Sequence, residues 1–163
     1  MQDEGLAVMY GWVRGARQVL MQHLATLPHE AYLAPRPELA GASVRDRHMH
    51  VVDCYVQWAG RGILDEAGLP VPDATTWPDA RSAWSWFEAV DVLVARLLET
   101  FEGRLDTPVD RRVYGEVLRL TPRWTLVHPM THEFHHKGQI RLSCRLLGYP
   151  APQADMPLPF DAG

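Results

Sequence analysis

Apolar residues recur at three- and four-residue steps in four stretches of the chain, and each stretch predicts an amphipathic helix with one buried face. The first runs from about Leu6 to Leu27. There Leu6, Met9, Val13, Ala16, Leu20, Leu24 and Leu27 make one stripe with Tyr10 beside it, and Pro28 stops the helix. The next dozen residues, with Pro35, Pro37 and Gly41, read as a loop. Ser43 followed by Asp46 has the spacing of a capping box and opens a second helix that runs to about Gly62. Between Gly68 and Asp79, Pro70, Pro72 and Pro78 predict a connection long enough to cross the length of a helical bundle. The third helix spans about Asp79 to Glu102 and closes at Gly103, with Phe87, Val90, Val94 and Leu97 among its apolar positions. Residues 104–120 alternate only weakly, around Arg112 to Val117, and are read as irregular. Thr121 as cap and Pro122 in the first turn start a fourth helix to Leu147, with Gly148 as its stop and a kink or break expected near Pro129. Residues 148–163 predict an extended, proline-rich tail on the surface.

The four helical stretches predict an all-α fold, and 163 residues at 47% hydrophobic and 22% charged suit one globular core, a single domain spanning 1–163. Six tryptophans are available to fill it. A formal charge of −4 without any basic cluster gives no field for capturing phosphates, so nucleic acid is not an expected partner. No window approaches the ~18 apolar residues of a membrane span, and the start Met-Gln-Asp-Glu-Gly lacks the features of a signal peptide. Cys54 and Cys144 both fall in helical segments, which suits a reducing compartment. The expectation is a cytoplasmic protein with no membrane partner. Lys137 is the only lysine, and no function follows from that.

The candidate chemistry lies in the histidines. Of eight, His128, His132, His135 and His136 fall within nine residues. His132 and His136 stand one turn apart on one helix face, a spacing that lets two imidazoles reach one metal ion. The second helix offers His48 and His50 as a third ligand, and two residues apart they point in nearly opposite directions. On the helical wheel His48 sits near the centre of the stripe of Val44, Val51, Val52, Tyr55 and Ala59, so periodicity alone favours His48. The run His132-Glu133-Phe134-His135-His136 also satisfies the metalloprotease pattern His-Glu-x-x-His, yet downstream of His136 only Asp155 and Asp161 could complete such a site. Glu133 reads equally as a solvent-facing helix charge or as an acid behind the metal. Cys54, Gly138 and Gln139 read as packing residues, and His128, His135 and His48 as surface or hydrogen-bonded core histidines.

The segment Thr131 to Ile140, in which His132-x-x-x-His136 closely precedes Gly138-Gln139, resembles the signature of the DinB/YfiT family of metal-binding four-helix bundles. Ser43-Val44-Arg45-Asp46, His50 to Tyr55 and Trp58 resemble the family's second helix, in which the ligand histidine falls seven residues after the serine and eight before the tryptophan. That register implies His50 in place of His48, giving His50, His132 and His136 as metal ligands. The resemblance further implies a left-handed bundle running up, down, down, up, with the crossover between helices two and three. It implies a divalent ion, zinc or nickel most often, with coordination positions left open, and a homodimer packed through helices. The activity it implies is that of a metal-dependent thiol S-transferase, in which a low-molecular-weight thiol attacks a small electrophilic substrate. A metal-dependent hydrolase and a non-enzymatic metal-binding stress-response bundle are the alternatives.

Overall fold

Ser43 caps the second helix as its spacing predicts: its Oγ accepts from the Asp46 N–H at 3.1 Å, and Asp46 Oδ2 accepts from the Ser43 N–H at 2.8 Å. A computed structural model describes residues 4–156, and among them the chain forms five α-helices and one two-stranded sheet. The first helix, α1 (Glu4–Leu24), buries Leu6, Tyr10, Val13, Ala16, Leu20 and Leu24 of its stripe, while Met9, also expected there, is exposed. The region read as a loop carries a short helix, α2 (His29–Leu33), and a 3-10 turn over Pro37–Leu39. The capped helix is α3 (Val44–Tyr55).

Beyond Tyr55 the chain departs from the expected ordinary helix to Gly62. Residues Val56–Ile63 take the wider π winding, and the Leu64 N–H continues it by reaching the Ala59 carbonyl, five residues back, at 3.2 Å. Gly62 fits because it lacks a side chain: a Cβ there would lie 2.9 Å from the Gln57 carbonyl oxygen.

The proline-rich connection does more than span a distance. It inserts Trp77, wholly buried, which donates its indole N–H to the Tyr32 hydroxyl at 3.0 Å and lies parallel to Trp86 at 6.5 Å. Asp79 then caps a 3-10 turn leading into α4 (Ala83–Thr100).

The segment read as irregular contains a hairpin, so the fold is mostly helical and not all-α. Strands β1 (Val109–Val113) and β2 (Glu116–Leu120) pair antiparallel with Val113 opposite Glu116. Tyr114 and Gly115 between them both have positive φ, 52° and 86°, the requirement of a type I′ turn. A tyrosine where asparagine is usual hides that turn from sequence inspection.

Helix α5 (Pro122–Leu146) is capped by Thr121 and runs through Pro129 without a break, so of the expected kink or break the break does not occur. Helices α1 and α3 each pack against α4 and α5. The tail is not wholly superficial either, since Ala154 is buried against the core. Residues 157–163 lie outside the described part. Among the described residues no helix is long and apolar enough to cross a membrane.

Candidate metal centre

Capping sets where the histidines point. With α3 started at Ser43 and α5 at Thr121, His50 from one helix meets His132 and His136 from the other. His132 Nε2 lies 3.0 Å from His50 Nε2 and 3.0 Å from His136 Nε2. The group is graded in burial, His136 in the interior, His132 half-buried and His50 at the surface, so the cluster opens to solvent on the His50 side.

His48 goes the other way. It is buried in the core, with Nδ1 3.3 Å from the Tyr32 hydroxyl and its ring against Trp77 and Phe87 at 5.3 and 5.2 Å. Burial pushes its pKa down to about 3, with the Arg17 charge adding to the shift, so the ring is neutral. The wheel was right that His48 faces the core. A polar residue can do so without any metal when a tyrosine meets its nitrogen.

The protonation pattern of the three surface-side histidines can be worked out from their partners. His136 Nδ1 is 2.7 Å from Gln139 Oε1. An amide oxygen only accepts, so Nδ1 carries the proton and Nε2 presents a lone pair to the cluster. The same amide turns its NH2 toward His135 Nε2 at 3.3 Å. Burial pushes the His136 pKa down to about 4 against the opposing Gln139 bond, and neighbouring imidazoles lower it further. Burial first, then His50, His128 and His135, lower that of His132. Both are neutral near pH 7, the form that binds metals.

His132 Nε2 stands between two other ring nitrogens at 3.0 Å each and can complete only one of those contacts as a hydrogen bond. If His132 Nε2–H donates to His136, it has no lone pair for His50; if it accepts from His50, it meets the His136 lone pair head-on. Either way one nitrogen pair repels, and a cation among them removes the conflict. Nitrogens about 2.1 Å from a common ion stand about 3.0 Å apart at right angles and about 3.4 Å apart in a tetrahedron, and the 3.0 Å separations lie at the short end of that range. The donor set fits a divalent metal.

Glu133 is neither a surface charge nor a base beside the cluster. It is buried, and both carboxylate oxygens are taken: Oε1 accepts from Arg17 Nε at 2.9 Å, and Oε2 from Arg17 Nη2 at 2.8 Å and from the Tyr55 hydroxyl at 2.8 Å. Burial, then the Glu133 charge, hold the Tyr55 phenol protonated as the donor. The glutamate of the His-Glu-x-x-His match is therefore bonded to Arg17 and Tyr55.

Two features at this site went unread in the sequence. Gln139 orients His136, and the sequence signal was its place three residues along the same helix face. Beside the cluster an aromatic strip continues along both helices, with Trp58 against Trp124 and His128 at 5.0 Å each and Tyr114 of the hairpin turn 6.1 Å from Trp58. His128 stacks on Trp124 at 5.0 Å and on His132 at 5.7 Å.

No functionally curated protein matches the chain in sequence. In structure it resembles a DinB-like protein from Bacillus cereus ATCC 10987, with a TM-score of 0.62 at 18% identity, covering 93% of this chain and 98% of that one. It also resembles the DinB-like protein YjoA from Bacillus subtilis, with a TM-score of 0.63 at 17% identity, covering 92% and 96%. Likeness at these identities is one of fold. The model of the DinB family matches residues 1–162, almost the whole length, and the chain belongs to the DinB family.

Proposed function

We propose that this protein is a metal-dependent thiol S-transferase acting on small electrophiles, with His50, His132 and His136 as the ligands of a zinc or nickel ion. The observation that carries the reading is the convergence of three imidazole nitrogens 3.0 Å apart in sequence along the set, at a cluster open on one side. A divalent ion held there would supply the Lewis acidity that turns a low-molecular-weight thiol into a thiolate at neutral pH. His136 is kept in the ligating tautomer by Gln139, and His50 stands at the exposed edge where a thiol and its electrophile would enter. Trp58, Trp124 and His128 offer an apolar wall for the electrophile. Hydrolysis is disfavoured because Glu133, the one acid that the His-Glu-x-x-His pattern offers as a base, is locked by Arg17 and Tyr55.

The proposal extends to the molecule around the site. It takes the four long helices as a left-handed bundle running up, down, down, up, supported by the packing of α1 and α3 on both α4 and α5 and by the long connection before α4. It takes the location as cytoplasmic, supported by Cys54 and Cys144 both being free thiols. It takes the assembly as a homodimer, supported by exposed Val8, Met9 and Val19 on α1 and Val92 on α4.

The test is reconstitution of chelator-treated protein with Zn2+ or Ni2+, elemental analysis, and a panel of low-molecular-weight thiols against monochlorobimane. About one ion per chain and turnover that requires both metal and thiol are expected, with His50→Ala losing both. Metal uptake without turnover on any thiol would leave a binding protein, and turnover without thiol would make it a hydrolase.

A further inference from the structure

The arrangement that makes the histidine cluster recurs one helical turn along the same helix pair. Contacts between α3 and its π-wound continuation on one side and α5 on the other run in opposite directions: His50 meets His132 and His136, and Trp58 meets His128 and Trp124. Advancing four residues from His50 reaches Cys54, and stepping back four from His132 and His136 reaches His128 and His132. At that level the Cys54 sulfur and one ring nitrogen from each of His128 and His132 lie within 4.8 Å of one another. His132 belongs to both sets.

We propose that Cys54, His128 and His132 form a second metal site, selective for thiophilic cations such as Cd2+ and exclusive of the histidine site. A thiolate in the donor set raises the preference for Cd2+ over Ni2+, which imidazoles alone suit better. Exclusivity follows from His132: a neutral imidazole has one lone pair, so it serves one ion at a time. Cys54 is buried and free, with no disulfide partner to displace. Half-buried Trp58 lies four residues on, its ring 5.0 Å from that of His128. Binding releases the thiol proton to solvent and leaves a thiolate on the ion. A soft ion seated there withdraws His132 from the other site and so disables it without touching His50 or His136.

The proposal needs no turnover and stands apart from the thiol-transfer reading. Metal-free protein is titrated with Cd2+ while the sulfur-to-cadmium charge-transfer absorbance is followed. One equivalent is expected to saturate the band. Cys54→Ser abolishes it, Cys144→Ser leaves it intact, and His128→Ala weakens Cd2+ binding by about tenfold or more without weakening Ni2+ binding. His50→Ala and His136→Ala keep the band although they lose Ni2+, and that combination separates the two sites. Folding of each variant is checked by far-ultraviolet circular dichroism, and His128→Gln is the second variant should His128→Ala unfold. No band in the wild-type protein, a band that survives Cys54→Ser, or one lost in His50→Ala would each overturn the proposal.

Discussion

Arg17 and Glu133 are charged residues that behave as core residues. Arg17 is 3% exposed and Glu133 also 3%, and they meet in a two-pronged ion pair linking α1 to α5, while Arg17 Nη1 donates to Asp91 of α4 at 3.0 Å. Its guanidinium lies over the Phe87 ring at 4.4 Å. Removing one partner of such a pair leaves the other buried without its countercharge, at a cost of about 3–5 kcal/mol. Glu133→Gln is therefore expected to lower stability in urea unfolding toward that range while Zn2+ affinity is unchanged. Loss of metal at intact stability would instead place Glu133 at the metal. The sequence held the clue: Val13, Arg17, Leu20 and Leu24 follow one another at helical steps, so Arg17 lies in the stripe of α1 itself. Its partner could not be read, because 116 residues separate the two.

At the scale of elements, the four long helices were legible because each carries its own stripe, with side-chain caps on α3 and α5, and both signals act over a few neighbouring residues. The π segment and the hairpin were not. The π winding depends on glycines that look like mild helix breakers, and in an ordinary exposed helix Gly→Ala would stabilise by roughly 1 kcal/mol. At Gly62 the sign reverses, since a Cβ would press on the Gln57 carbonyl oxygen at 2.9 Å. Gly62→Ala is expected to destabilise by about 1–3 kcal/mol in urea unfolding. Stabilisation by the same substitution would mean an ordinary α-helical turn at 56–63. The hairpin placed Tyr114 against Trp58 through a turn whose residues give little local signal.

For the molecule as a whole, pH dependence reports how the core holds its histidines. In the folded state His48 has a pKa of about 3 against an ordinary 6.5, and that of His136 is about 4. Between the ordinary and folded values the unfolded chain binds protons that the folded chain does not, so stability rises with pH across that window and levels off above about 6.5. Metal-free protein is expected to lose stability on acidification below pH 6.5, at up to about 1.4 kcal/mol per pH unit for each such group. Urea midpoints across that range measure it, and His48→Phe should remove about one proton from the slope; a flat wild-type profile would contradict the buried, neutral His48. By itself, the sequence determined the long helices, since periodicity and caps are local, and the family register named His50, His132 and His136 together. Only the tertiary structure decided which polar groups those faces meet: His48 with Tyr32, His136 with Gln139, Glu133 with Arg17, Cys54 with His128 and His132. Most of these pairings join distant parts of the chain, and a side chain's chemistry is set by its neighbours in space, which no spacing along the chain records.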